Sequence, residues 1–304
     1  MNGDYAESEE LWLNVNSQDP NCQLAYHGLA KAYLIEKDYE KALFYSKEGL
    51  DYSTYNQAFS YVRNDEFKSL FRVALLIVIS ITVLIIILHK LKRQGKFNFT
   101  LNKKLKVYLT SFIHPFDFAN QIKFNKQGSI LCSIISLLLF YIFKVLSDTN
   151  GGFLFSKFDV HSYNALYTFI GSVGVVLLWT ICYWAVAVLF SGKCKLKEVF
   201  IVSSYAMLPQ IINGIFYLIA SNILVIEESA AISAVNVIML ILSGIVLCIG
   251  SMICSEYSFF KFFGVAIVTI LAVCLVIFVI FMVLTLDQEL ITFLQSIFKE
   301  VIYR

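Results

Sequence analysis

The residues that could do acid–base, nucleophilic or metal chemistry are few in this sequence and widely separated. His89, His114 and His161 lie in polar breaks between apolar segments, with no paired acid or nucleophile at a recognisable spacing. The seven cysteines form no CxxC pair or Cys/His metal spacing, and we interpret them as small packing residues. No glycine-rich phosphate loop occurs. The sequence therefore predicts a protein that is not an enzyme, with no cofactor, metal or nucleic-acid partner.

One apolar segment is richer in polar residues than the others and is the candidate for a pocket or hinge. Its proline removes a backbone donor and frees the carbonyl of Tyr205, which must then find a partner away from lipid. Two interpretations stay open: a polar pocket or flexing point, and a structural kink held by interhelical hydrogen bonds. The candidate residues are Ser203, Ser204, Tyr205, Pro209, Gln210 and Asn213.

Composition places these residues in a membrane protein. Hydrophobic residues make up 58% of the chain and charged residues only 15%, and the mean hydropathy is +0.71. Runs of about 20 apolar residues can cross a bilayer as helices. The first such run is Leu70–Leu88, and residues 128–286 contain five more, so the predicted fold is an all-α polytopic membrane bundle. The five are Ser129–Leu146, Ala165–Phe190, Val199–Asn222, Ala231–Ile253 and Phe262–Leu286.

The distribution of lysine and arginine predicts the orientation of the chain in a cell membrane. Basic residues follow Leu88 at once and recur around Lys193, whereas Glu227 and Glu228 occupy a short loop between two other spans. Because short cytoplasmic loops are enriched in lysine and arginine, residues 89–127 are predicted to be cytoplasmic. Both termini are then extracytoplasmic. No span centre carries an ionisable residue, which argues against an ion-driven carrier.

Two segments outside the spans are amphipathic. Within the basic segment 89–127, residues Val107–Phe124 alternate aromatic and polar side chains, and we expect an interfacial helix broken at Pro115. The lysines before it favour contact with anionic membrane lipid. Residues 287–304 predict an amphipathic helix that lies along the outer surface or packs on the external loops.

The N-terminal region, residues 1–66, has the pattern of a helical repeat. Leu24–Tyr33 and Asp38–Leu50 each predict a helix, and small residues between them allow the two helices to approach closely. The pattern resembles a tetratricopeptide repeat, over one full repeat and half of another; a generic helical hairpin is the alternative. Because such repeats bind other proteins, the candidate partner-binding residues are those at the repeat positions. They are Tyr26, Leu29, Ala30, Tyr33, Tyr39 and Ala42.

Three passages in and before the bundle resemble the Yip family membrane domain, a family named for interaction with Ypt/Rab GTPases. They are His114-Pro115-Phe116-Asp117 at the interface, Leu178-Trp179 through Trp184, and Gly192-Lys193 through Pro209. The resemblance implies a five-span helical bundle over residues 108–286. The extra span and repeat head are similar to a bacterial subgroup, of which some members are found beside carbohydrate importers.

These expectations combine into a non-enzymatic membrane scaffold or accessory protein. It would hold a membrane protein partner, for which a carbohydrate importer component is the candidate that the resemblance implies. A homo-oligomer is compatible with the same pattern. The alternative is a permease or channel that conducts a small solute through the span containing Pro209.

Overall fold

The computed structural model describes residues 5–63, 103–155 and 163–302. Within these ranges the chain is helical and forms no strand. The N-terminal helices are α1 Tyr5–Gln18, α2 Gln23–Glu36, α3 Tyr39–Glu48 and α4 at residues 52–63; α5 Lys103–Ile113 and α6 Pro115–Lys123 follow. The long apolar helices are α7 Ile130–Thr149, α8 Ala165–Phe169 with α9 Val175–Leu189, α10 Leu196–Tyr205 with α11 Leu208–Ser221, α12 Ser229–Ser255 and α13 Phe259–Ile302.

Five helical segments in the described part of the chain are long and apolar enough to cross a membrane. They coincide with the five spans predicted in residues 128–286, so the all-α polytopic bundle is confirmed. A π-helical turn, Ile170–Gly174, joins α8 to α9 within one span. The predicted first span, Leu70–Leu88, and most of the basic segment after it lie outside the described residues.

The N-terminal helices pack in sequence order around a small core. The helix α2 contacts both α1 and α3, and Leu29, Tyr33 and Ala42 are buried between them. Lys37 follows the end of α2 with a positive φ of 66°, which stops the helix, and the Asp38 side chain accepts the backbone N–H of Lys41 at the start of α3. These are local capping signals, and both helices form where the sequence predicts them.

The break at Pro115 is confirmed, and the helices on both sides of it contribute residues to the protein core. The helix α5 ends at Ile113 and α6 begins at Pro115, which suits the first position of a helix because proline lacks the N–H that would be unpaired there. Val107, Phe118 and Ile122 are buried in the protein core. These helices carry apolar residues on more than one side. One side packs against the rest of the protein, and Phe116 and Phe124 on other sides are exposed.

The span containing Pro209 is interrupted. The helix α10 ends at Tyr205 and α11 starts at Leu208, with Ala206 and Met207 in a turn between them. Pro209 therefore lies in the first turn of a new helix, where its missing N–H costs little. The proline side chain is fully buried, as expected for a residue that faces the bundle.

The C-terminal amphipathic helix predicted at residues 287–304 continues the last span as far as it is described, and its placement outside the bundle stays a prediction. The helix α13 runs without a break from Phe259 to Ile302, over 44 residues. The sequence between Val265 and Ile302 contains no glycine or proline. A fall in hydropathy at Asp287 changes what surrounds a helix but does not end its hydrogen-bond ladder.

The described chain divides into two compact units. The first comprises residues within Met1–Leu101, Val145–Tyr163 and Asn213–Ile238. The second comprises residues within Asn102–Lys144, Asn164–Ile212 and Met239–Arg304, and its core contains Tyr183, Val199 and Tyr205.

Candidate functional site

In the first unit, α4 is attached to two loops that connect membrane-spanning helices. Tyr52 stacks on Phe153 with ring centroids 4.8 Å apart, and Tyr55 contacts the same ring at 4.6 Å. Phe153 belongs to the segment that follows α7. Aromatic pairs of this kind add about 0.5–1.5 kcal/mol beyond their buried area.

Polar contacts complete the attachment of α4. The Asn56 amide donates to Glu227 Oε1 at 2.9 Å and accepts the backbone N–H of Ile226 at 3.0 Å. Arg63 Nη1 donates to Glu228 Oε2 at 2.6 Å. We call Tyr52, Tyr55, Asn56 and Arg63, with their partners, the α4 contact surface. It requires the N-terminal helices to lie on the same side of the membrane as residues 150–155 and 226–228.

The residues predicted to bind a partner in the N-terminal repeat are mostly interior. Leu29, Ala30, Tyr33 and Ala42 are at most 4% exposed, so they pack the helices against each other and offer no surface to another protein. The small and apolar positions of a helical repeat are those where its own helices touch. Partner binding by the other surfaces of this repeat stays a prediction. Tyr26 and Tyr39 are partly exposed, and Tyr39 stacks on Tyr61 of α4.

The polar residues predicted around Pro209 have different hydrogen-bond partners, and a shared pocket stays a prediction. Asn213 donates its amide to Asn236 at 3.0 Å. The Ser204 hydroxyl bonds Phe200 O, the Ser204 carbonyl accepts Ser136 Oγ at 3.0 Å, and Tyr205 OH donates to Ser129 O. These bonds suit a kink held by interhelical contacts.

Two buried polar atoms near the break between α10 and α11 lack hydrogen-bond partners in the described part of the chain. These atoms are Ser203 Oγ and Gln210 Nε2. Leaving a buried polar atom without a hydrogen bond costs about 1–3 kcal/mol of folding stability. A group that bonds either atom would remove this cost.

A cluster of charges in the second unit was not predicted. Lys123 of α6 is only 10% exposed and lies 3.4 Å from Glu198 Oε2 and 3.7 Å from Glu256 Oε1. Its ammonium also donates to the carbonyl of Lys193, whose own ammonium bonds Glu256 at 2.7 Å. The cluster therefore joins α6, the start of α10 and the turn after α12.

Gly192 allows the loop beside this cluster to close. Tyr257 OH donates to Ala187 O at 2.8 Å, and a Cβ at Gly192 would meet that hydroxyl at 2.5 Å and Ala187 O at 2.8 Å. Tyr183 OH donates to Ser251 O at 3.0 Å and lies 2.8 Å from Ser255 Oγ. Gly192, which begins the glycine and lysine passage singled out in the sequence, thus leaves room for the hydrogen bond between the end of α9 and the turn after α12.

The sequence of the bundle decides the family. A family model of the Yip1 domain matches residues 109–281, which is more than half of the chain. The chain belongs to the Yip1 domain family. Neither the curated proteins nor the solved structures contain a match. The resemblance drawn from the three sequence passages is confirmed; the N-terminal helices lie outside the matched residues, and their likeness to a tetratricopeptide repeat stays a prediction.

At the start of the Yip1 domain, His114, Pro115, Phe116 and Asp117 form the first turn of α6. His114 occupies the N-cap position without a side-chain cap bond, and Asp117 places a negative charge near the positive end of the helix. The Phe116 side chain is 55% exposed. The four residues are thus placed to begin a helix, and their interfacial position is still a prediction.

The Lys193–Glu256 pair makes the stability of the Yip1 domain depend on pH. The hydrogen bond from Lys193 lowers the pKa of Glu256, and the same bond raises the pKa of Lys193. Because its pKa is lower in the folded state, the Glu256 carboxylate stabilises the fold at pH values above its unfolded-state pKa. This stabilisation is lost as the pH falls through the folded-state pKa.

We therefore expect the wild-type melting temperature in detergent to fall more steeply than that of Glu256→Gln as pH drops below about 4.5. Glu10→Gln, at an exposed position on α1, is the matched control and should follow the wild type. Parallel curves for wild type and Glu256→Gln would contradict the expected linkage.

Proposed function

We propose that this Yip1 domain protein is a non-enzymatic membrane scaffold whose N-terminal helices hold a protein partner beside the bilayer. The observation that carries this proposal is the α4 contact surface. It combines aromatic stacking, an amide that bonds two groups and an arginine–carboxylate pair, so α4 and the loops that it contacts are held in one arrangement. A domain held in this way presents the rest of its surface at a defined place.

The exposed surface of the N-terminal helices supports a binding role. Leu11, Leu13 and Val15 of α1 are 62%, 38% and 38% exposed, and Phe44 of α3 is 59% exposed. In repeat proteins each helical unit buries its apolar face against a neighbour, and end units have a polar outer side. The described α1 instead has apolar side chains on its outer side, which suits a partner that covers them.

The predicted topology gives the class of partner. The lysine-rich loops predict that the N-terminal helices lie outside the cytoplasm. The contact of α4 with residues 226–228 supports this prediction, because the acidic loop is predicted on the same side. A membrane protein with an external domain can reach this surface. A carbohydrate importer component is the first candidate to test, because of the likeness to the bacterial subgroup found beside such importers.

The test is crosslinking of the full chain in native membranes followed by purification in mild detergent. We expect a stoichiometric membrane partner to be purified with the wild-type chain. The amount of partner purified with Leu11→Asn/Val15→Asn should be at least about tenfold lower, since apolar side chains that a partner buries carry most of the energy of an interface. Leu24→Asn/Ile35→Asn, at exposed apolar positions of α2, is the matched control. Recovery of the wild-type chain alone or only as a homo-oligomer, or equal loss in both pairs, would contradict the proposal.

A second candidate function, conduction of a small solute, is favoured by the unpaired Ser203 Oγ and Gln210 Nε2 beside the α10–α11 break. A polar solute passing there would supply the missing hydrogen bonds. Liposomes containing the purified chain and a panel of sugars and amino acids separate the two functions. A scaffold gives no flux above empty liposomes, whereas a conduit gives flux that falls in Ser203→Ala/Gln210→Leu.

A further inference from the structure

Three lysines line a small cleft in the second unit of the chain. Lys126 lies in the loop between α6 and α7, and Lys195 and Lys197 lie at the start of α10. The volume is about 170 Å³, well below the range of about 300–1,000 Å³ typical of pockets for whole small molecules. The other residues of the lining are Ile122, Gly128, Glu198 and Ile201.

The charge of this cleft is positive. Its only acidic lining residue, Glu198, lies 3.4 Å from the ammonium of Lys123 and accepts the backbone N–H of Lys195 at 3.2 Å, so its negative charge is already matched. In the part of the chain that the structure describes, no carboxylate lies within ion-pair distance of Lys126, Lys195 or Lys197. Three ammonium groups around one concave surface attract an anion.

Part of the lining of the cleft is apolar. Ile122 and Ile201 are buried, and the absence of a side chain at Gly128 lets the loop approach Ile201 closely: a Cβ there would lie 2.9 Å from Ile201 Cδ1. The cleft thus combines three lysines with two isoleucines in one lining.

The position of the cleft indicates where the anion comes from. Two membrane-spanning segments begin beside it, at Ile130 and Leu196, so the lysines lie at the level where a bilayer places its headgroups. Exposed apolar side chains start at the same level, with Leu131 72% and Leu196 43% exposed. A lipid would place its phosphate among the lysines and its acyl chains along these residues, whereas a soluble phosphate would use only the lysines.

We propose that this cleft, which we call the lysine cleft, binds the phosphate of an anionic phospholipid headgroup. The ammonium groups of Lys126, Lys195 and Lys197 supply the charge, and the exposed side chains at the starts of α7 and α10 contact the acyl chains. This site does not depend on the scaffold function, because it involves neither the N-terminal helices nor a protein partner.

The experiment measures lipid binding to the full chain in detergent by native mass spectrometry, with phosphatidylglycerol and phosphatidylcholine as probes. We expect wild type to retain phosphatidylglycerol in preference to phosphatidylcholine. In Lys126→Gln/Lys197→Gln the affinity for phosphatidylglycerol should fall roughly 20- to 30-fold, since each lysine near a headgroup strengthens binding about fivefold. Lys31→Gln/Lys47→Gln removes the same charge from exposed positions of α2 and α3, outside the lysine cleft and the basic segment, and should bind as wild type.

Three results would overturn the lysine cleft as a lipid site. Equal weakening in both double variants would mean that overall charge, not this cleft, attracts the lipid. Unchanged binding in Lys126→Gln/Lys197→Gln would mean that the lipid lies elsewhere. Displacement of phosphatidylglycerol by an equal concentration of inorganic phosphate would assign the cleft to a soluble phosphate compound.

Discussion

Gly152→Ala should strongly destabilise the first unit of the chain. Gly152 is buried, its N–H donates to Ser221 Oγ at 3.1 Å, and a Cβ at this position would overlap the backbone carbonyl group of Ser221. Because the obstacle is backbone and not a flexible side chain, either the 150–155 loop or the end of α11 must move. Overpacking of this kind typically costs about 1–3 kcal/mol, and we expect the upper end here.

The effect can be measured as the melting temperature of the purified protein in detergent and as the amount of chain in membranes. The same change should weaken partner capture, because Phe153, which Tyr52 and Tyr55 contact, is the next residue in the chain. Gly244→Ala is the matched control: nothing lies within 4 Å of a Cβ there, and alanine in a helix should add about 0.5–1 kcal/mol of stability. Equal melting temperatures for both variants would contradict this packing.

Lys123→Met should cause the second large loss, in the second unit. The lysine is nearly buried and contacts two carboxylates and one carbonyl from three parts of the chain. Removing one partner of a buried pair costs about 3–5 kcal/mol because the other charge is left unpaired. We expect about 2–3 kcal/mol, since Glu256 is 32% exposed and is still bound by Lys193.

A double variant tests whether the unpaired carboxylate is the cause. Lys123→Met/Glu198→Gln removes both charges, and its melting temperature should lie above that of Lys123→Met alone. Lys106→Met, at an exposed lysine of α5, should leave the melting temperature within about 1 °C of wild type. A double variant no more stable than Lys123→Met would mean that lost packing of the lysine stem, not the charge, explains the destabilisation.

The sequence by itself determined the spans and the helix breaks. Whether a segment can cross a bilayer depends on its own length and polarity, so the five spans of residues 128–286 follow from the local composition. Proline acts on its own helix, so the breaks at Pro115 and Pro209 follow in the same way. The continuity of α13 also follows from the sequence, because no glycine or proline follows Val265; the drop in hydropathy at Asp287 ends the predicted span but not the helix.

Only the tertiary structure decided which residues meet. Asn56 and Glu227 are 171 positions apart, and Lys123 and Glu198 are 75 apart, and no local pattern pairs one polar loop residue with another at such separations. The same holds for burial in the N-terminal repeat: the sequence identifies Leu29 and Ala42 as repeat positions, but only their packing decides whether they face a partner or each other. The periodicity of side chains shows which residues share one face of a helix. Which residues pack against that face depends on the path of the whole chain.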